Sequence, residues 1–90
     1  MANMMGADLA DLVRLQKTFT DVSRQITEIQ NSVKGVLGGT QWTGTAAEQF
    51  RTMWTSEYSP AFTRCAADLT EKAQYVGKRR EAIDIATRAS

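Results

Sequence analysis

The side chains of this chain that could do chemistry are few, and their spacing suits recognition better than catalysis. Histidine is absent from the 90 residues, which removes the commonest general base and metal ligand. The single Cys65 rules out an intramolecular disulfide. It lies on an apolar helical stripe and is expected to be a small buried hydrophobe. No pair of acids has the setting of a general acid–base couple, and Gly38-Gly39 follows no strand that would make it a phosphate loop. Lys78-Arg79-Arg80 has the ordinary reading of cations near a helix C-terminus. No enzymatic activity, cofactor or metal site is expected. What remains is Trp42-Thr43-Gly44, at the midpoint of the chain and just after Gly38-Gly39. A simple turn needs only polar residues, so a large aromatic beside a permissive glycine marks a recognition element.

Two long periodic segments must position that tripeptide. In the first, Leu12, Leu15, Phe19, Val22, Ile26, Ile29, Val33 and Val36 follow one another at steps of 3, 4, 3, 4, 3, 4 and 3. This is the a/d seam of a packed helix. The charges Arg14, Lys17, Asp21, Arg24, Glu28 and Lys34 fall on outward positions. The flanks of the seam, among them Gln16, Ser23 and Gln30, are polar but uncharged. Such flanks suit a helix with neighbours on both sides, as in a four-helix bundle. The spacing predicts a first helix over about 7–37, with Gly38 as its stop. Met5 would continue the same heptad one repeat earlier.

The second helix is predicted over about 45–87, opening on a capping box of Thr45 and Glu48. Its stripe comprises Ala47, Phe50, Trp54, Tyr58, Phe62, Cys65, Leu69, Ala73, Val76 and Ile83. Steps of mostly 4 resemble an eleven-residue repeat and a nearly straight helix. Arg64 with Asp68, Asp68 with Lys72 and Arg80 with Asp84 have the spacing of outward ion pairs. Pro60 interrupts the pattern and admits two readings. Either the helix continues with a kink, which the unbroken stripe favours, or Ser59 caps a new helix with Pro60 at its first position.

The connector, 38–44, is short enough to fold the helices back antiparallel. At 1.5 Å per residue they span about 45 Å and about 60 Å, so the second overhangs as a C-terminal arm. The fold class is all-α: one domain, 1–90, forming a helix-turn-helix hairpin. Two helices cannot surround their own apolar stripes, and Met53, Tyr75 and Ile85 widen the apolar face further. The expected solution is a dimer of hairpins, a four-helix bundle. The net charge of +1 gives no field for nucleic acid. No apolar run approaches the roughly 18 residues of a membrane span, so no stable membrane insertion is expected. The beginning, MANMMGADLADLVRL, lacks the basic and apolar regions of a cleavable signal peptide.

Trp42 and Gly44 at the apex, Phe50 and Trp54 one and two turns into the second helix, and the opening Gly6-Ala7-Asp8-Leu9 carry a family resemblance over the whole chain. The chain resembles the WXG family, the small ESAT-like proteins exported by type VII secretion systems, and its opening is similar to that of many actinobacterial members. The resemblance implies a substrate or co-substrate of such a system. Its partners would be a second copy or a WXG paralogue, and the secretion ATPase. It also implies residence in the cytoplasm before export and secretion without a cleaved signal. Trp42 and Gly44 would form half of a bipartite export signal. The family's other half, a Tyr followed four residues later by an acid, is missing: Tyr75 leads to Arg79 and Tyr58 to Phe62. The alternative is a cytoplasmic helical adaptor or targeting chaperone for a larger exported toxin.

Overall fold

The computed structural model describes residues 8–89, all helical except for the short connector and the first cap. Helix α1 spans Leu9–Gly39, α2 spans Thr45–Met53, a π-helical turn spans Trp54–Tyr58, and α3 spans Ser59–Ala89. Met5 and the opening Gly6-Ala7 lie outside the described residues. Asp8 starts α1 by extended backbone and a carboxylate that accepts the amides of Ala10 and Asp11 at 2.8 and 3.2 Å. That satisfies two of the donors every helix start leaves unpaired. The helix does not stop at Gly38; it runs through Gly39 and gives way at Thr40, whose φ of −84° and ψ of 126° are extended.

α1 packs antiparallel along α3. The hairpin is a rod, 68 × 17 × 15 Å. Its seam follows a different line along α1 from the expected apolar heptad. Leu12, Phe19, Val22, Ile26 and Val33 are half-buried, but Leu15, Ile29 and Val36 are exposed at 42%, 52% and 69%. The one buried residue of α1 is Ser23. Facing α3 are Leu9, Leu12, Gln16, Phe19, Ser23, Ile26, Gln30, Val33 and Leu37, a 3,4 register whose alternate members include three polar residues. Each polar member meets a small or hydroxylic counterpart. Gln16 lies so close to Gly77 that a β-carbon there would sit 2.7 Å from its Nε2. Ser23 Oγ donates to the Ala66 carbonyl at 2.7 Å and lies 2.8 Å from Thr70 Oγ1. Gln30 Nε2 donates to Ser59 O, Ser59 Oγ and Thr63 Oγ1 at 3.0, 2.8 and 2.9 Å. Ser23 and Gln30 are tolerable in the seam because they are paired.

The second helical run solves the Pro60 conflict by a π turn. Ser59 is helical, with φ −60° and ψ −46°, so it caps nothing, and its amide donates five residues back to the Trp54 carbonyl. The helix therefore continues through Pro60, and the strain of a ring with no N–H is met by widening the turn before it. This widening also explains the irregular stripe. The seam runs through Ala47, Arg51, Trp54, then Ser59, Phe62, Ala66, Leu69, Ala73, Val76, Arg80 and Ile83, with half-buried Pro60, Gly77 and Asp84 each one residue beside it. The steps are 3 and 4 on both sides of a single step of 5 across the π turn. An extra residue in an α-helix would rotate the face by about 100°; the π turn absorbs it and keeps both stretches on one side. The expected eleven-residue repeat is thus two seven-residue registers joined by an insertion.

Other expectations change with this register. Cys65 is exposed, not buried, because the seam passes through Ala66. Phe50 and Tyr58 are exposed, Phe62 and Leu69 half-buried, and Trp54 buried, its ring 5.8 Å from that of Phe62. Asp68 pairs with Lys72 at 3.1 Å, whereas Asp84 pairs with Arg88 rather than Arg80. No helix among the described residues is long and apolar enough to cross a membrane.

Ser23→Leu tests the seam. A leucine would extend the apolar heptad on sequence grounds, yet here it must displace the backbone of Ala66. We expect a loss of about 1–3 kcal/mol from overpacking, whereas Arg24→Ala, on the exposed outer face, should stay within about 0.5 kcal/mol. Urea melts followed by circular dichroism would show equal effects if the register were otherwise.

Candidate functional site

The hairpin apex is a connector laid against the side of α2. Beyond Thr40 the chain takes five residues, Thr40–Gly44, to climb to the start of α2 at Thr45. α2 consequently rises past the end of α1, so the longer helical run overhangs at the apex, not only as a C-terminal arm. Thr40 Oγ1 donates back to the Val36 carbonyl at 2.5 Å, and the Trp42 amide donates to the Thr40 carbonyl at 3.1 Å.

Gly44 ends the connector with φ 105° and ψ 176°, a region essentially restricted to glycine. No atom lies within 4 Å of where its β-carbon would stand. The demand for glycine is therefore conformational and not a matter of space. Gly44 itself caps α2, receiving the Glu48 amide on its carbonyl at 3.1 Å, without any side-chain bond. The Thr45–Glu48 capping box is not formed, since Thr45 already lies inside the first helical turn.

Trp42 is 42% exposed, with its ring 6.2 Å from that of Phe50 and tilted by 49°. Phe50 and Met53 are exposed to a similar degree, so three large apolar side chains crown the apex outside the hairpin seam. Below them a cleft of about 170 Å³ is lined by Lys34, Leu37, Gly38, Arg51, Trp54 and Thr55. Arg51 bridges the two parts: its Nη1 donates to the Trp42 carbonyl at 2.8 Å and its Nη2 to the Thr40 carbonyl at 3.2 Å.

The apex brings together Trp42, Gly44 and Phe50, while Trp54 lies beneath as core. The remaining apolar residues sort by flank. Leu15, Val22, Ile29 and Val36 occupy the position beside the seam on α1; Phe50, Tyr58 and Cys65 occupy the equivalent position on the second run. In an antiparallel pair like flanks share a side. The opposite flanks carry Thr20, Thr27, Lys34, Thr63 and Thr70, on the side where Gln30 reaches Thr63 and Ser23 reaches Thr70. The apex half of one side of the rod is thus apolar and uncovered; further from the apex the same flank carries Lys72 and Arg79, and the opposite, largely polar flank includes Val13.

The basic run does not form a patch. Lys78 and Arg79 are exposed, but Arg80 turns into the seam with its Nε buried and unpartnered among the described residues. The Asp68 carboxylate, hydrogen-bonded to Lys72, raises that ammonium's pKa, and Asp84 does the same for the Arg88 guanidinium. Both pairs lie on α3, away from the apex. No cluster of three metal-ligating residues occurs among the described residues.

Sequence reasoning missed Arg51, Gln16, Ser23 and Gln30. The last three repeat every seven residues, a signal that was present but is read as solvent-facing when apolar residues alone define the seam. Arg51 carries no such signal, because a cation on a helix is usually solvated. No protein-family model, curated protein or solved structure matches the chain.

The conformation of Gly44 yields a stereochemical test. Gly44→Ala should lose about 1–3 kcal/mol through backbone strain. D-alanine introduced at the same position by semisynthesis should be tolerated, since φ 105° is ordinary for the mirror-image residue. Equal thermal melts for the L- and D-alanine proteins would refute the strained conformation.

Proposed function

We propose that this chain is a WXG-type helical hairpin of the ESAT-like kind, a substrate or co-substrate of a type VII secretion system. It would dimerise through the uncovered apolar face and be recognised at its apex by the secretion machinery, including its ATPase, without catalysing a reaction. The observation that carries the reading is the apex. A half-exposed tryptophan and a glycine in a glycine-only conformation are held in a defined shape outside the core, where hairpin stability alone would not require them.

Pairing is supported by surface area. The chain exposes 6866 Å², against about 5200 Å² for a compact protein of this mass. No large side chain is fully buried. The apolar flank near the apex, carrying Ile29, Val36, Phe50 and Tyr58, is the kind of surface that a second hairpin covers to make a four-helix bundle. The partner is a second copy or a WXG paralogue, and a paralogue would supply the Tyr-x-x-x-acid tail that this chain lacks.

For assembly, size-exclusion chromatography with light scattering should show a dimer at micromolar concentration when the chain is expressed alone and pairs with itself. Ile29→Glu, on the apolar flank, should give a helical monomer, and Thr20→Glu, on the polar flank, should leave the dimer intact. Dissociation by both or by neither would remove the assigned face. A cooperatively folded wild-type monomer would count against self-pairing.

For recognition, Trp42→Ala should sharply reduce export in a host with an active type VII system while leaving helicity near native. Secreted and cell-associated protein are compared by immunoblot. Normal export of the folded variant would leave Trp42 as packing only, and a cell-retained protein bound to a larger exported toxin would point to the adaptor alternative.

A further inference from the structure

Nothing in the backbone of the connector explains why it holds one shape. Of its five residues, only Trp42 donates an amide within the connector, to Thr40, and only Gly44 ties it to α2 through its carbonyl. α2 has no side-chain cap to draw the connector in. A segment so sparsely bonded would ordinarily sample many conformations. The bond from Trp42 to Thr40 closes a three-residue turn about Gln41, and it leaves the Thr40 and Trp42 carbonyls open to a donor from outside the connector. Both point at Arg51, whose Nη1 and Nη2 each take one, at 2.8 and 3.2 Å.

We propose that Arg51 is the positioning residue of the recognition turn: its guanidinium clamps the Thr40 and Trp42 carbonyls and so presents the Trp42 ring and Gly44 in a preformed arrangement. The inference rests on the reading of the apex as a recognition element. Three observations make the assignment specific to this arginine. It is half-buried rather than extended into solvent. It takes part in none of the ion pairs of the described residues, which involve Arg14, Arg24, Lys72 and Arg88, so no carboxylate competes for its donors. Its neighbour Phe50 lies beside the Trp42 ring, so one short stretch of α2 grips the turn by both its backbone and its side chain. A planar fork is required because two acceptors must be held at once; a lysine ammonium on a flexible stem would not hold the pair in one plane. Presentation in a fixed shape removes the ordering cost that a partner would otherwise meet on binding.

The test uses the full chain labelled with 5-fluorotryptophan, whose two fluorine resonances report Trp42 and, as an internal control, buried Trp54. In Arg51→Gln the Trp42 resonance should move towards its unfolded position, and exchange of the Trp42 and Thr43 amides should accelerate by about tenfold or more. The Trp54 resonance and the helical circular dichroism should stay as in the wild type, and Arg51→Lys should fall between. Export of Arg51→Gln should drop as far as that of Trp42→Ala. An unchanged Trp42 resonance and unchanged exchange in Arg51→Gln would overturn the clamp. So would a loosened turn with normal export in a host that fails to export Trp42→Ala. If Trp42→Ala is itself exported normally, the recognition reading fails, and the resonance and exchange measurements still decide whether Arg51 orders the turn.

Discussion

Two helices joined by a connector have one shared seam, and in this chain the centre of that seam is a serine. Ser23 donates to the Ala66 carbonyl on the opposite helix and meets Thr70 beside it. A hydroxyl bonded to a backbone carbonyl needs short side chains opposite, and Ala66, with Ala73 and Gly77 further along, provides them. Gln30 extends the same pairing one heptad towards the apex, and Gln16, one heptad the other way, packs against Gly77. Paired polar groups at these positions fix the axial register of the hairpin more sharply than interchangeable apolar contacts would, the role best attested for polar residues in helical seams. They also leave much of the hydrophobic inventory of α1 outside the seam. Leu15, Ile29 and Val36 are uncovered because the polar ladder takes the places they would have filled.

The π turn is the second consequence of holding one seam over the full length. The run from Thr45 to Ala89 must face α1 and the connector with a single side, yet it contains a proline and one residue too many for an unbroken seven-residue pattern. Widening one turn at Trp54–Tyr58 accommodates both irregularities at the same place. It sets Trp54 into the core next to Phe62 and keeps Phe50, Tyr58 and Cys65 on the same flank. The apex inherits its form from the same geometry. α2 rises beyond the end of α1, so the connector must run back along it, and the one cation of α2, Arg51, takes two of the connector's carbonyls.

Much of this was legible in the residues. The helical class, the hairpin and the site of the connector follow from periodicity and a glycine pair. Trp42 and Gly44 stood out by type and place, and Gly44 does adopt a conformation that only glycine takes comfortably. The capping box at Thr45 failed because Gly44 occupies the cap position. Cys65 was misplaced because a stripe drawn through Phe50, Trp54 and Tyr58 at steps of 4 averages over the insertion and drifts off the true seam by one residue.

The sequence by itself determined which segments are helical and where the chain reverses, because those outcomes depend on local spacing and on the backbone preferences of single residues. Which side of each helix faces its neighbour was decided only by the tertiary structure. Gln30 in place of Ile29, and Ala66 in place of Cys65, is a choice between adjacent positions on a helical surface, separated by a partial turn that local helix preference does not decide. That choice is made by the opposite helix, through acceptors such as the Ala66 and Ser59 carbonyls that exist as binding partners only once the two helices lie side by side. The grip of Arg51 on the connector has the same origin: its two acceptors converge only after the chain has turned back along α2.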